Sequence, residues 1–90
     1  MKLKANIRET VELDAKSIIV EFYGDKNKQH FEVFCTFNPY NEGIRKWDFW
    51  ELKIRYVSEI FVEEKTGKKS YFTHFYCDQA KPIHQIGNAK

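Results

Sequence analysis

The residues of this 90-residue chain with the most versatile chemistry are two cysteines and three histidines. Their closest grouping is His74-x₂-Cys77-x₆-His84, which has the ligand types of a zinc site but neither the Cys-x₂-Cys nor the His-x₃-His spacing of compact sites. On a strand, His74 and Cys77 also point to opposite faces, because successive side chains alternate. We therefore expect no metal site and no cofactor.

Catalysis by a cysteine requires a nearby histidine and surroundings that lower the pKa of the thiol. Cys35 lies between Phe34 and Phe37 in a register that faces the core, where a thiol stays protonated and unreactive. Cys77 falls at the end of a predicted strand and is less constrained. Two cysteines also fall short of the disulfide framework of small secreted domains, so we expect both thiols to be reduced.

Paired carboxylates and phosphate-binding loops are the other common foundations of catalysis. Glu9, Glu21, Glu32 and Glu59 all fall midway along predicted strands, which is typical of solvated acids on a sheet face. The chain contains no Gly-x-Gly-x-x-Gly, Walker or Gly-x-Ser-x-Gly motif, and its four glycines are too few to build a phosphate-cradling loop easily. We expect a protein that is not an enzyme.

Composition limits the class of protein to one small, ordered domain. Hydrophobic residues make up 42% and aromatic residues 17% of the chain, which suffices for a core. Fifteen basic and thirteen acidic residues leave a net charge of +2, too weak a field for duplex DNA or an anionic membrane. Charges interrupt the first nine residues, so we expect no secretory signal and a cytoplasmic location.

Apolar and polar residues alternate along most of the chain, and this period of two predicts strands. Turn-forming residues separate the alternating runs, above all around Gly24 and Gly67. The predicted strands are Leu3–Leu13, Ser17–Tyr23, His30–Asn38, Phe49–Glu64 and Ser70–Cys77.

The first predicted hairpin joins the second and third strands. Its best register sets Phe22 opposite Phe31 and keeps one face apolar, although Glu21 then faces Glu32. The irregular stretch 38–48 that follows is longer than usual, which marks it as a crossover or a working loop.

The segment from Phe49 to Glu64 fits two structures. Trp47, Trp50 and Ile54 have helical spacing, but the content of β-branched and aromatic residues favours a strand. As a strand it forms a hairpin in which Gly67 occupies the left-handed position of a three-residue loop. That loop sets Phe61 opposite Tyr71.

We predict a mainly β fold, with five antiparallel strands in a small barrel or a curled sheet. The alternative is an α+β fold with one short helix near residues 44–52. We expect a single domain over residues 1–78 and a partly ordered C-terminal tail over residues 79–90, of which at most Pro82–Ile86 docks at an edge.

One face of the second hairpin combines an apolar centre with a charged rim, as protein interfaces do. We predict a non-enzymatic protein-binding module that acts by occupancy, such as a phage- or mobile-element-type inhibitor or an accessory adaptor. A homodimer through the same face, or coverage of the face by the loop or tail, is the competing interpretation. The residues of this face are Phe49, Lys53, Arg55, Val57, Phe61, Tyr71 and Phe75.

The alternative function is binding of single-stranded nucleic acid, because Lys53 and Arg55 lie beside aromatic rings on which bases can stack. Against it, Glu51, Glu59 and Glu63 share the face, and the chain lacks the motifs of common RNA-binding domains. A second group of aromatic and basic residues lies on the long loop and at the hairpin tip: Tyr40, Arg45, Lys46, Trp47, Lys68 and Lys69.

Overall fold

The computed structural model describes residues 1–83, and within them the chain forms five β-strands. Each strand coincides with an alternating or β-branched run of the sequence, as its period of two requires. In chain order the strands are β1 (Lys2–Ile7), β2 (Ser17–Phe22), β3 (Phe31–Cys35), β4 (Phe49–Val62) and β5 (Lys69–Pro82).

The strands close into a barrel in the order β1-β2-β3-β5-β4, with β1 also paired to β4. This confirms the predicted five-stranded barrel. Four of the strand pairs are antiparallel, as predicted, whereas β3 and β5 are parallel. The described residues contain no helix; residues 44–48 form turns and irregular backbone, and residues 49–52 already belong to β4.

Alternate side chains of every strand point into the barrel and form its core. Leu52 and Ile54 of β4 are buried against Ile7 of β1, and Ile44 and Pro39 of the long loop are fully buried as well. Because that loop joins the end of β3 to the start of β4, it closes the barrel at that end. Burial of these aliphatic side chains is the main stabilising contribution, at about 1.5–3 kcal/mol for each fully buried side chain.

Three strands, β1, β3 and β5, differ most from their predicted bounds. β1 ends at Ile7 rather than Leu13, because residues 8–16 turn across the barrel end and leave Leu13 70% exposed. β3 is confined to Phe31–Cys35. β5 continues past Cys77 to Pro82, so the expected domain boundary at residue 78 falls inside a strand, while residues 84–90 lie outside the described part of the chain.

The hairpin of β2 and β3 has a register two residues away from the predicted one. Ile19 rather than Glu21 faces Glu32, and the set of inward side chains is unchanged because the shift is even. The shift separates the two carboxylates: Glu21 instead contacts Arg8 at 3.9 Å and His30 at 3.8 Å. The observed register thus avoids a like-charge pair, which is mildly destabilising.

The last two strands, β4 and β5, have 14 residues each and extend beyond the barrel. β1 pairs with β4 only as far as Lys53, and β3 reaches β5 only from Phe75 onward. Residues 55–74 therefore form a two-stranded ribbon that projects from the barrel, and we call this segment the ribbon. It raises the radius of gyration to 15.6 Å, against about 12 Å for a compact chain of this length.

A bulge between Lys53 and Ile54 shifts the register of β4 and β5 by one residue where the ribbon begins. The ribbon consequently pairs Phe61 with Ser70, and the predicted pairing of Phe61 with Tyr71 was wrong. A one-residue slip exchanges the two faces of a strand. Gly67 does adopt the left-handed conformation, with a φ of 69°, in a turn that the amide of Gly67 closes on the carbonyl of Glu63.

Candidate functional site

A line of rings runs along the outside of the barrel and onto the ribbon. Alternate residues of β5 face outward because the residues between them, Phe75 and Cys77, face the interior. Successive outward residues on one strand are about 6.6 Å apart. We call this line the aromatic row; from the barrel to the ribbon tip it comprises Phe34, Tyr76, His74, Phe72 and Phe61.

The rings of the aromatic row contact one another across three strands. Phe34 of β3 lies 5.8 Å from Tyr76 and 6.3 Å from His74, measured between ring centroids. Farther out, Phe61 and Phe72 meet edge to face at 5.3 Å. The first three rings are half-buried, whereas Phe61 and Phe72 are 54% and 51% exposed. The row therefore offers two groups of contacting rings to a ligand, one around Phe34 on the barrel and one formed by Phe61 and Phe72 on the ribbon.

Arg55 supplies a fixed positive charge beside this surface. Its guanidinium carbon lies 4.7 Å from the centre of the Tyr76 ring, and its Nε donates a 2.9 Å hydrogen bond to Asp78. Asp78 thus orients the guanidinium, while half of the arginine side chain stays exposed. Because a guanidinium remains charged and presents several donors, it suits a phosphate or carboxylate of a ligand that lies on the rings.

The acid expected to oppose an anionic ligand lies beside a histidine. Glu59 lies on the same ribbon face, and its carboxylate is 3.4 Å from Nε2 of His74. Together with Phe61, Ser70 and Phe72 these two residues line an open depression of about 530 Å³. The lining is predominantly apolar, which is the environment that a stacked ring requires.

The opposite side of the ribbon is apolar and exposed. Between 54% and 66% of the surface of each large side chain is accessible there. Both outer edges of the ribbon also lack a neighbouring strand among the described residues, and an isolated two-stranded ribbon is marginally stable in water. We call this side the apolar ribbon face; its residues are Tyr56, Ile60, Val62 and Tyr71.

The structure unites only part of the predicted binding face. Lys53, Arg55, Val57 and Phe61 do lie together on the outer face of β4. Phe49 shares that face but is about 40 Å from Phe61 along the strand, at about 3.3 Å per residue. It packs against Tyr23 at the other end of the barrel, at 5.8 Å between ring centroids.

Tyr71 and Phe75 lie on the other side of β5 from Phe61, as the register shift requires. Phe75 points toward the barrel mouth, where its ring lies 6.1 Å from Phe22 and 5.4 Å from Phe31. It therefore belongs to the core layer. Tyr71 belongs to the apolar ribbon face.

The second predicted group is divided between the two ends of the molecule. On the long loop, the guanidinium of Arg45 stacks on Tyr40 at 3.6 Å. Lys46 and Arg8 approach the exposed ring of Trp47 at 4.8 and 5.1 Å. The remaining two residues, Lys68 and Lys69, lie at the ribbon tip, beyond the opposite end of the barrel. These residues do not form one site.

Sequence reasoning missed four members of the aromatic row: Phe34, His74, Tyr76 and Phe72. Phe34 alternates with the buried residue Val33, so its outward direction was available from the sequence. Its neighbours were not, because the parallel pairing of β3 with β5 joins residues about 40 positions apart. No local feature of the sequence predicts such a pairing.

The two cysteines, which the sequence placed on separate predicted strands and for which we expected reduced thiols rather than a bridge, are directly paired residues of β3 and β5. Both are free thiols; Cys77 is buried and Cys35 is half-buried. A hydrogen bond between the thiols raises the pKa of Cys35 and lowers that of Cys77. Within residues 1–83, no three His, Cys, Asp or Glu side chains converge into a set that could hold a metal ion.

No family model, curated protein or solved structure matches this chain. In the described part of the chain there is also no helix long and apolar enough to span a membrane. Function is therefore inferred from the aromatic row, Arg55 and the ribbon.

Proposed function

We propose that the protein binds single-stranded nucleic acid along the aromatic row, by occupancy and without catalysis. The observation that carries this proposal is the position of Arg55, which lies against Tyr76 while its charge remains half exposed. Proteins that bind single strands combine aromatic side chains, on which bases stack, with basic side chains that follow the backbone. Rings and charge are adjacent on this face of the barrel.

The strand order supports a site that includes β3 and the β4–β5 connection. A closed order of β1-β2-β3-β5-β4 is that of OB-type Greek-key barrels, which bind oligonucleotides or oligosaccharides on the face of strands 2 and 3 and with the β1–β2 and β4–β5 loops. In this chain β3 contributes Phe34, and the β4–β5 connection is the ribbon that carries Phe61 and Phe72. The likeness is one of architecture, and it supports the place of binding more than the ligand.

A single strand fits this surface better than a duplex. Stacking requires unpaired bases, whereas duplex binding depends on a dense array of phosphate contacts. The net charge of +2 is low for the latter. Near the row, Asp78 is paired with Arg55, which reduces the repulsion expected from this acid.

The test is fluorescence anisotropy with a labelled oligothymidylate of about 16 nucleotides, the upper end of site sizes for such barrels. We expect binding that weakens with salt by about 0.7 log units per log unit for each phosphate contact. A duplex of equal length and a neutral oligosaccharide are the competitors. No binding of the single strand, or an affinity independent of salt, would contradict the proposal.

The variant Arg55→Gln tests whether the charge of Arg55 contacts a phosphate of the bound strand. Lys46→Gln, at the other end of the barrel, is the matched control. Removal of one phosphate contact lowers the magnitude of the salt slope by about 0.7. We expect that reduction in Arg55→Gln and an unchanged slope in Lys46→Gln. Equal slopes in both variants would place the strand elsewhere on the protein.

A second candidate function, docking on a protein partner, is supported by the apolar ribbon face. Its four residues are each more than half exposed, and exposed apolar patches of this kind are typical of interfaces. An unpaired ribbon edge can also accept an extended segment of a partner as an additional strand. We propose that, as an inhibitor or adaptor, the protein would dock on its partner through this side of the ribbon.

The two candidates are distinguished by substitutions on opposite sides of the ribbon. A partner protein captured from nuclease-treated lysate and retained through a high-salt wash should be lost with Ile60→Ser and kept with Phe72→Ser. Loss with both variants, or with neither, would argue against docking through the apolar ribbon face.

A further inference from the structure

The two free cysteines meet across the parallel seam of the barrel. Cys35 is the last residue of β3, and it pairs directly with Cys77 of β5, about 40 positions later in the chain. Paired residues on neighbouring strands have Cα atoms about 4.8 Å apart, which lies within the range of about 4.4–6.8 Å found in disulfides. Directly paired residues also point to the same side of the sheet.

The two sulfur atoms differ in access. Cys77 is fully buried, and its thiol donates a 3.0 Å hydrogen bond to the carbonyl of Gln79. Cys35 is half-buried and lines an open depression of about 460 Å³ at the barrel end, next to Lys16 and Thr36. Cys35 is therefore the more accessible of the two cysteines.

We propose that Cys35 and Cys77 form an oxidation site, which closes into an intramolecular disulfide when the protein meets a low-molecular-weight disulfide. Cys35, through its open depression, is the sulfur that the oxidant reaches, and buried Cys77 is the sulfur that resolves the intermediate. The proposal concerns a covalent modification of this chain and is independent of the nucleic-acid function.

The exchange balances with glutathione disulfide as the oxidant. Access rather than acidity selects Cys35 as the attacking sulfur, because the thiol pair raises the pKa of Cys35. The Cys35 thiol loses its proton to solvent, and the thiolate attacks one sulfur of glutathione disulfide, which breaks that S–S bond and releases one glutathione thiolate. Cys77 gives its proton to that thiolate and attacks the Sγ of Cys35, releasing the second glutathione, which takes up the proton that Cys35 lost to solvent. Two protein thiols are oxidised to one disulfide, and one glutathione disulfide is reduced to two thiols.

The seam at which this bond forms also positions part of the aromatic row. Only three residue pairs join β3 to β5, and Phe34 with Tyr76 is the pair adjacent to the cysteines. The backbone on both sides of the pair is held in place, because the amide of Cys35 donates to the carbonyl of Lys16 and the amide of Thr36 donates to the carbonyl of Cys77. A disulfide would fix the distance between the two strands beside these rings.

The experiment incubates the folded, reduced protein with glutathione disulfide and follows free thiols and intact mass. We expect both thiols to disappear, the mass to fall by two hydrogens and the chain to stay monomeric on a non-reducing gel. Cys77→Ser should stop at a stable glutathione adduct on Cys35, whereas Cys35→Ser should react much more slowly because Cys77 is buried. A wild-type end product that is a glutathione adduct or an inter-chain dimer would overturn the proposal.

A redox titration shows whether the fold itself favours the disulfide, because it compares oxidation of the two cysteines in the folded and in the unfolded chain. Closing a loop of about 40 residues favours the disulfide in the folded chain over the urea-unfolded chain by roughly a thousandfold when the native geometry is unstrained. We expect the folded pair to oxidise at a lower ratio of glutathione disulfide to glutathione than the unfolded pair. Equal or easier oxidation of the unfolded chain would show that the seam does not accommodate the bond.

Discussion

Phe72 and Tyr71 are neighbours in the sequence that face opposite sides of the ribbon, so replacing each by alanine tests which side binds the single strand. Phe72 is 51% exposed on the aromatic row, and Tyr71 is 66% exposed on the apolar ribbon face. The two rings are similar in size. Any general effect of removing a ring from the ribbon is therefore present in both variants.

The expected losses follow from burial and contact. Phe72 is about half buried, so its loss removes about half of the 1.5–3 kcal/mol that full burial contributes, plus an edge-to-face contact with Phe61 of about 0.5–1.5 kcal/mol. The free energy of unfolding should fall by about 1–3 kcal/mol in Phe72→Ala and by less in Tyr71→Ala. Loss of one stacked base costs about 1–3 kcal/mol of binding, a 5- to 150-fold rise in Kd.

Anisotropy titrations at one salt concentration provide the comparison, and far-ultraviolet circular dichroism with urea unfolding verifies that both variants are folded. We expect weaker binding of the single strand by Phe72→Ala and nearly unchanged binding by Tyr71→Ala. If the two variants lose equal affinity, the ring of Phe72 makes no specific contact. If Tyr71→Ala binds more weakly, the strand lies on the apolar ribbon face and the reasoning from the aromatic row is refuted.

Two further predictions concern the stability of the barrel and of the turn at the ribbon tip. Leu52→Ala, at a fully buried position of β4, should lower the free energy of unfolding by about 2–5 kcal/mol in urea titrations, and a loss below about 1 kcal/mol would show that Leu52 is not in a packed core. Gly67→Ala should lower the free energy of unfolding by about 1–2 kcal/mol in the same titrations, because φ at this position is 69° and no atom crowds the added Cβ. Gly67→Asn should recover part of that loss. An unchanged stability in Gly67→Ala would show that the left-handed backbone at this position is not strained by a side chain.

Local patterns in the sequence predicted the individual strands well. The alternation over Ser17–Phe22 and the β-branched and aromatic content after Phe49 both correspond to strands in the structure. Gly67 was recognised as a left-handed turn position because few other residues adopt that conformation. These features depend on interactions between residues close in the chain.

The composition of the candidate site depended on interactions that are not local. The bulge between Lys53 and Ile54 reverses the two faces of the ribbon relative to the predicted register, which moves Tyr71 away from Phe61. The parallel seam brings Phe34 to Tyr76 only after the barrel has closed. Side-chain periodicity specifies which residues point inward, but it does not specify which strands become neighbours.

β4 runs from the closed barrel into the ribbon, so the amides of its two halves should differ in their protection from hydrogen exchange. Around Leu52 its amides are flanked by β1 and β5, whereas past Ile54 only β5 remains to protect them. Amides on the outer edge of the ribbon therefore exchange without any opening, and those paired with β5 exchange when the ribbon frays. The barrel amides need a far larger opening, which makes the ribbon a unit that can melt and re-form while the barrel stays folded.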